Sequence, residues 1–174
     1  MRNVIIIGPP ASGKLAIAKA LAKAKGYFLF DNHKSIDAVE VITADQAANP
    51  KNLCHAIRKA VFQAAAAAQT PTIFTMVYGH PIDDEVMKEY SAILTNTESP
   101  LIVQLHCTRD DSIKRCQDAS RSGTSKIATP ERIERLYGDF DLDSDYRPAS
   151  ADVLHINTST TSVEESVRRI MERI

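Results

Sequence analysis

Val4-Ile5-Ile6-Ile7-Gly8-Pro9-Pro10-Ala11-Ser12-Gly13-Lys14 decides the fold of this chain. Four consecutive apolar residues predict a strand buried on both faces. Gly8 and Gly13 enclose four residues, and Lys14 follows directly, which is the spacing of a phosphate-binding loop. Glycine lets backbone N–H groups approach phosphate oxygens with no side chain in the way. The loop then feeds a helix whose free N–H groups and positive dipole end favour an anion. Lys14 adds a point charge suited to β- and γ-phosphates. Gly8, Pro9, Pro10, Ala11, Ser12, Gly13, Lys14 and Leu15 are therefore the expected phosphate-binding set. One position departs from the pattern. A Ser or Thr hydroxyl ordinarily follows the lysine and ligates Mg²⁺, but here Leu15 and then Ala16 follow. The competing reading is a chance glycine-rich turn, and a strand before it with a helix after it argues against that.

At 174 residues the chain is expected to form one domain, residues 1–174, with a substantial core. Its 44% hydrophobic and 25% charged content is ordinary for a globular protein. A net charge of −1 gives no bulk attraction to nucleic acid or membranes. The four-residue apolar stretch running straight into the loop does not read as a signal peptide, and no apolar run approaches spanning length. Cys54, Cys107 and Cys116 are odd in number and form no CxxC pair, so reduced thiols in a cytoplasmic protein are expected.

The rest of the chain alternates. Leu15 to Lys25 reads as a helix stopped by Gly26. Tyr27 to Phe30 reads as a second strand ending in Asp31-Asn32-His33. A helix follows from Ser35 to about Ala47, and Asn49-Pro50 starts another, with Asn as cap and Pro as first helical residue. Leu53, Ile57, Ala60, Val61, Ala64 and Ala68 recur there at helical spacing. Thr72 to Val77 is a third strand, exiting at Tyr78-Gly79-His80. Asp83 to about Leu94 is helical, with Val86, Tyr90, Ile93 and Leu94 on one face. Leu101 to Leu105 is a fourth strand and Asp110 to about Ala119 a helix. Ser120 to Lys126 is polar and positive, and Thr129-Pro130-Glu131 begins a further helix. Val153 to Ile156 is a fifth strand. Thr161 and Glu164 form a capping box for the last helix. Strand–helix alternation implies a parallel sheet covered on both faces, with ligands at the C-terminal strand ends. The loop, Asp31, His80 and Arg109 fall on that edge.

On these residues the sequence resembles a small phosphate-loop kinase. The Gly8–Lys14 loop, Phe30-Asp31-Asn32-His33, the Cys107-Thr108-Arg109 strand exit and the Arg115, Arg121, Lys126 series occur in the order of the shikimate kinase and chloramphenicol phosphotransferase branch of the nucleoside-monophosphate-kinase-like fold. The resemblance spans almost the whole chain, though only the loop is highly specific. It implies a three-layer α/β/α fold, a five-stranded parallel sheet in order 2-3-1-4-5, and a short lid at about residues 115–130. It implies that Asp31 contacts an acceptor hydroxyl and that Arg115, Arg121 and Lys126 neutralise a transferring phosphoryl group. It also implies that the loop Asn157-Thr158-Ser159 packs on adenine. The third strand departs from the pattern by ending without an acid.

Phosphoryl transfer needs positioning and charge neutralisation more than covalent chemistry. The expectation is an ATP-dependent kinase acting on a small molecule, with Lys14, Asp31, Arg121 and Arg115 catalytic and Asp31, His33 and His80 facing the acceptor. Mg²⁺ is expected to be held through phosphates and water, because it keeps several waters readily. Arg121 beside Ser-Gly-Thr-Ser suits a lid that closes over the site. Each residue also has a plainer role: Asp31 or His33 as a helix cap, Arg115 and Arg121 as solvated charges. Two other functions fit the chain: a nucleotide-binding protein that has lost catalysis at Leu15, and a nucleoside-monophosphate kinase. His33, His80 and His106 lack the short spacing of zinc ligands. The aspartates between Asp139 and Asp145 lack the glycine and terminal glutamate of a calcium loop. No metal bound by protein side chains is expected.

Overall fold

The computed structural model describes residues 1–43, 50–118, 126–149 and 152–174. Five parallel strands form its sheet: β1 (Val4–Gly8), β2 (Phe28–Asp31), β3 (Thr72–Val77), β4 (Leu101–His106) and β5 (Val153–Asn157), in the order β2-β3-β1-β4-β5. The predicted order is observed. β1 lies at the centre, with Ile6 opposite Thr75 of β3 and Val103 of β4. All five of its residues are buried, as its unbroken apolar run requires.

Alternate residues of β1 belong to two cores. Val4 and Ile6 pack with Ile17, Ala18 and Leu21 of α1 (Lys14–Lys25) and Val167 and Ile170 of α7 (Val163–Met171). Ile5 and Ile7 face the other way. They pack with Phe62 of α3 (Pro50–Ala67), with Met87 and Tyr90 of α4 (Asp84–Ile93), and with Leu94 just beyond it. Phe62, Phe74 and Tyr90 meet edge to face there, centroids 4.9–5.7 Å apart, an arrangement favoured by the ring quadrupole. The chain thus leaves β1 toward one face of the sheet and reaches α3 and α4 on the other. Such a change of side opens a crevice beyond the C-terminal strand ends.

Several boundaries differ from those predicted. α2 (Asn32–Thr43) begins at once after β2, so Asn32 and His33 are helical rather than a preceding loop. Asn49, the predicted cap of α3, lies outside the described residues. The buried stripe of α3 is Cys54, Arg58, Phe62 and Ala65. It is offset by about one residue from the predicted apolar series, and Ala60, Ala64 and Ala68 face solvent. α4 buries Met87 alongside Tyr90 and Leu94. α5 (Arg109–Cys116) and α6 (Pro130–Asp139) are capped by Thr108 and Thr129, whose hydroxyls accept from Asp111 N at 3.1 Å and Arg132 N at 3.4 Å. The cap of α7 is Ser162, accepting from Glu165 N at 3.2 Å, one residue beyond the predicted Thr161. The same S-x-x-E spacing occurs in either register, and the buried face of Ser166, Val167 and Ile170 selects the second.

Candidate active site

β1 ends in a loop that only glycine can build at two places. Gly8 has φ +145°, and a Cβ there would lie 2.4 Å from the Leu105 carbonyl oxygen of β4. Gly13 has φ +91° and caps α1. Ala11 also has positive φ, at 57°. Positive φ at 11 and 13 turns backbone N–H groups inward, as in an anion-binding nest, and the first turn of α1 adds donors without i−4 acceptors. Lys14 folds back over this loop, its Nζ donating to Gly8 O at 3.0 Å, Pro9 O at 2.5 Å and Ser12 Oγ at 3.4 Å. From α5, buried Ser112 Oγ donates to Pro10 O at 2.5 Å and pins the loop.

The loop forms one wall of a cleft of about 920 Å³, a volume suited to a small-molecule site. Residues 10–16 line it, together with Asp31 and His33 from the β2 exit, Lys126 and Arg132. Asp31 Oδ1 accepts from Thr75 Oγ1 and from His33 N, both at 3.3 Å. Adjacent strand ends and the first turn of α2 thus hold the carboxylate. His33 is held below the ordinary imidazole range, chiefly by burial and partly by the Lys126 and Lys14 charges, with Asp31 and Asp37 opposing. Arg115 also lines the cleft, and its guanidinium donates to Thr158 O at 2.8 Å and to Thr158 Oγ1 at 3.2 Å. Thr158 N in turn donates to His106 O at 2.8 Å. Arg115 therefore braces the loop after β5.

His80 is placed elsewhere. Its backbone N–H donates to Asp141 O at 2.8 Å, and its Nδ1 lies 3.3 Å from Asp84 Oδ2. It borders a smaller cavity of about 270 Å³ with Ser144, Asp145 and Arg147. Gly8 and Pro9 shape the loop from beneath the cleft wall. Arg121 lies outside the described residues.

The cleft also holds residues that sequence reasoning passed over. Arg58 of α3 is 8% exposed. Its Nε donates to Ser35 Oγ at 2.9 Å, and its guanidinium also hydrogen-bonds the Tyr90 side chain. No carboxylate forms an ion pair with it among the described residues. His55 Nδ1 meets Tyr90 Oη at 2.5 Å. Burial, then the Arg58 charge, hold its imidazole below the ordinary range. Asp83 accepts from Gly79 N at 2.9 Å, and burial raises its carboxyl above the ordinary range despite that bond. The signal for Arg58 was available only as a charge recurring at i, i+4 and i+8 with Cys54 and Phe62, and helical periodicity alone reads such a charge as solvated.

As a metal site the loop region fits Mg²⁺ in part. Asp31 supplies a hard carboxylate in the cleft and Ser12 a hydroxyl beside Lys14, while position 15 supplies no oxygen.

These features define the α/β/α fold of phosphate-loop NTPases. No family model matches the sequence, and no curated protein does. Solved structures share the fold. A sugar kinase from Janibacter is 16% identical, with TM-score 0.65, covering 99% of this chain and 93% of its own. A gluconokinase from Sinorhizobium meliloti 1021 is 14% identical, with TM-score 0.63, covering 99% and 94%. Shikimate kinase from Aquifex aeolicus is 16% identical, with TM-score 0.59, covering 99% and 95%. At these identities the likeness concerns the fold, and that fold is one used by small-molecule kinases.

Proposed function

We propose that this protein is an ATP-dependent kinase that phosphorylates a hydroxyl of a small molecule carrying a negative charge. The observation that carries the reading is that Lys14 with its loop, Asp31, and Arg58 all line one cleft. The loop and Lys14 bind the triphosphate. Asp31 orients the acceptor hydroxyl and accepts its proton as the phosphoryl group transfers. Mg²⁺ held by phosphate oxygens and water would add neutralising charge. Arg58, a buried cation bonded to hydroxyls rather than to a carboxylate, offers its remaining N–H groups to an anionic group of the acceptor. Lys126 and Arg132, which also line the cleft, add positive charge. Thr158 borders the nucleotide base.

The test is an ADP-release assay with ATP, Mg²⁺ and a panel of hydroxy acids, neutral polyols and nucleoside monophosphates. Turnover with a hydroxy acid supports the reading. Turnover confined to nucleoside monophosphates would replace it with the nucleotide-kinase reading. Nucleotide binding without turnover on any acceptor would favour a protein that has lost catalysis at Leu15.

A further inference from the structure

A second group of side chains lies outside the cleft, on the sheet face that α3 and α4 cover farther along. His106 ends β4, His155 lies on neighbouring β5, and Asp145 belongs to the connector between α6 and β5. His106 Nε2 and His155 Nδ1 are 3.0 Å apart, and Asp145 Oδ1 is 3.7 Å from each of them. The carboxylate is too far from either nitrogen for a hydrogen bond, yet equally far from both. The nearest point equidistant from three atoms so spaced lies in their plane, about 2.0 Å from each, and a point slightly above that plane stays near the length of a zinc–nitrogen or zinc–oxygen bond. The three separations also bracket the spacing of roughly 3.4 Å between neighbouring ligands on a tetrahedral zinc ion.

The backbone builds this arrangement. In place of a helix, the connector covers the β4–β5 corner, burying Leu142 and Tyr146. The side chain of Gln104, 1% exposed, donates to Ser144 O at 2.9 Å and accepts from Tyr146 N at 2.8 Å. One buried amide thereby clamps the residues on both sides of Asp145. Asp141 tightens the turn before it, accepting from Ser144 N at 3.0 Å and Ser144 Oγ at 2.6 Å. Gln104 and His106 project from the same face of β4, so the clamp sets Asp145 over the two imidazoles. The rings meet head-on, 21° from coplanar with centroids at 5.3 Å, and His106 Nε2 and His155 Nδ1 share a hydrogen bond; a bound ion replaces that bond as each ring turns its nitrogen toward Asp145.

We infer that His106, Asp145 and His155 form a binding site for one zinc ion, with water as the fourth ligand. Two imidazoles and a carboxylate suit a borderline divalent metal and not Mg²⁺ or Ca²⁺. Each imidazole binds neutral, with its proton on the ring nitrogen turned away from the metal. All three side chains are partly exposed, so the ion enters from solvent. The zinc ties the connector to β4 and β5, one residue from the loop that Thr158 anchors on His106 O. The site stands whether or not the cleft transfers phosphate.

The test is calorimetric titration of ZnCl₂ into metal-stripped protein, for wild type, His155→Ala and Asp145→Asn, with thermal unfolding in parallel. Both substitutions lie at the surface and keep the core intact, and circular dichroism checks the fold. One zinc per chain in wild type, weakened at least tenfold in each variant, with a zinc-dependent rise in Tm lost in both, is the expected result. A tetrahedral Co²⁺ absorption spectrum in wild type that is lost in His155→Ala would agree. No wild-type binding at millimolar zinc, or identical binding in wild type and both variants, would overturn the assignment.

Discussion

Thr75 Oγ1 donates to Asp31 Oδ1 at 3.3 Å, joining the ends of β3 and β2 at the floor of the cleft. The bond leaves Asp31 with an oriented carboxylate and acceptor capacity to spare. Replacing Asp31 by Asn keeps the shape and removes the base. Turnover should fall about 10²- to 10⁴-fold while ATP affinity stays within about twofold of wild type, read by steady-state kinetics and calorimetry.

Arg58→Lys should separate acceptor from nucleotide. Lysine keeps the charge but loses the planar fork, so KM for an anionic acceptor should rise about tenfold or more while KM for ATP is unchanged. Equal effects on both substrates would place Arg58 in the scaffold alone.

Gly8→Ala should destabilise the fold. A methyl at φ +145° meets the Leu105 carbonyl at 2.4 Å, and backbone strain of this kind costs about 1–3 kcal/mol. For a chain of this length each kcal/mol lowers Tm by about 2–4 °C, so a fall of roughly 2–12 °C is expected in a thermal melt. Gly13→Ala meets no atom within 4 Å and should cost less.

Stability should fall as the pH drops from about 7 toward 5. His33, His55 and His106 are each held below the ordinary imidazole value, mainly by burial. Well above about pH 6.5 these histidines are neutral folded or unfolded, and the native state bears no penalty. Below it the unfolded chain takes up protons that the folded chain resists, so the unfolded state binds more protons and stability rises with pH. Urea unfolding at pH 7.5 and 5.5 measures the slope, and His55→Gln should flatten it.

Leu15→Ser should lower the Mg²⁺ concentration needed for half-maximal ATP binding, because it restores the absent hydroxyl. Wild type should already bind Mg²⁺-ATP. Binding found only in the variant would mean the natural loop cannot hold the metal complex.

The sheet was legible because local signals agreed: an apolar run for β1, glycines at the turn and alternating helices. Gly8 and Lys14 announced the loop that walls the cleft, since a turn built on glycine backbone has a fixed local spacing. Arg58 did not announce itself. Its burial depends on the rotation of α3 against Ser35 and Tyr90, which the apolar series Ile57, Val61 and Ala64 placed about one residue away. His80 looked like a site residue from its strand-end position, but its bonds to Asp141 and Asp84 draw it out of the cleft. His106, Asp145 and His155 were invisible for the opposite reason. They come from three separate segments, brought together only by strand pairing and the Gln104 clamp, and leave no short motif.

The most direct measurement of the central claim is calorimetric binding of ATP, with and without Mg²⁺, to wild type and Lys14→Ala. The account predicts binding of one ATP, strengthened by Mg²⁺ and weakened at least tenfold in the variant. Absence of ATP binding under both conditions, or equal binding by the two proteins, would contradict it.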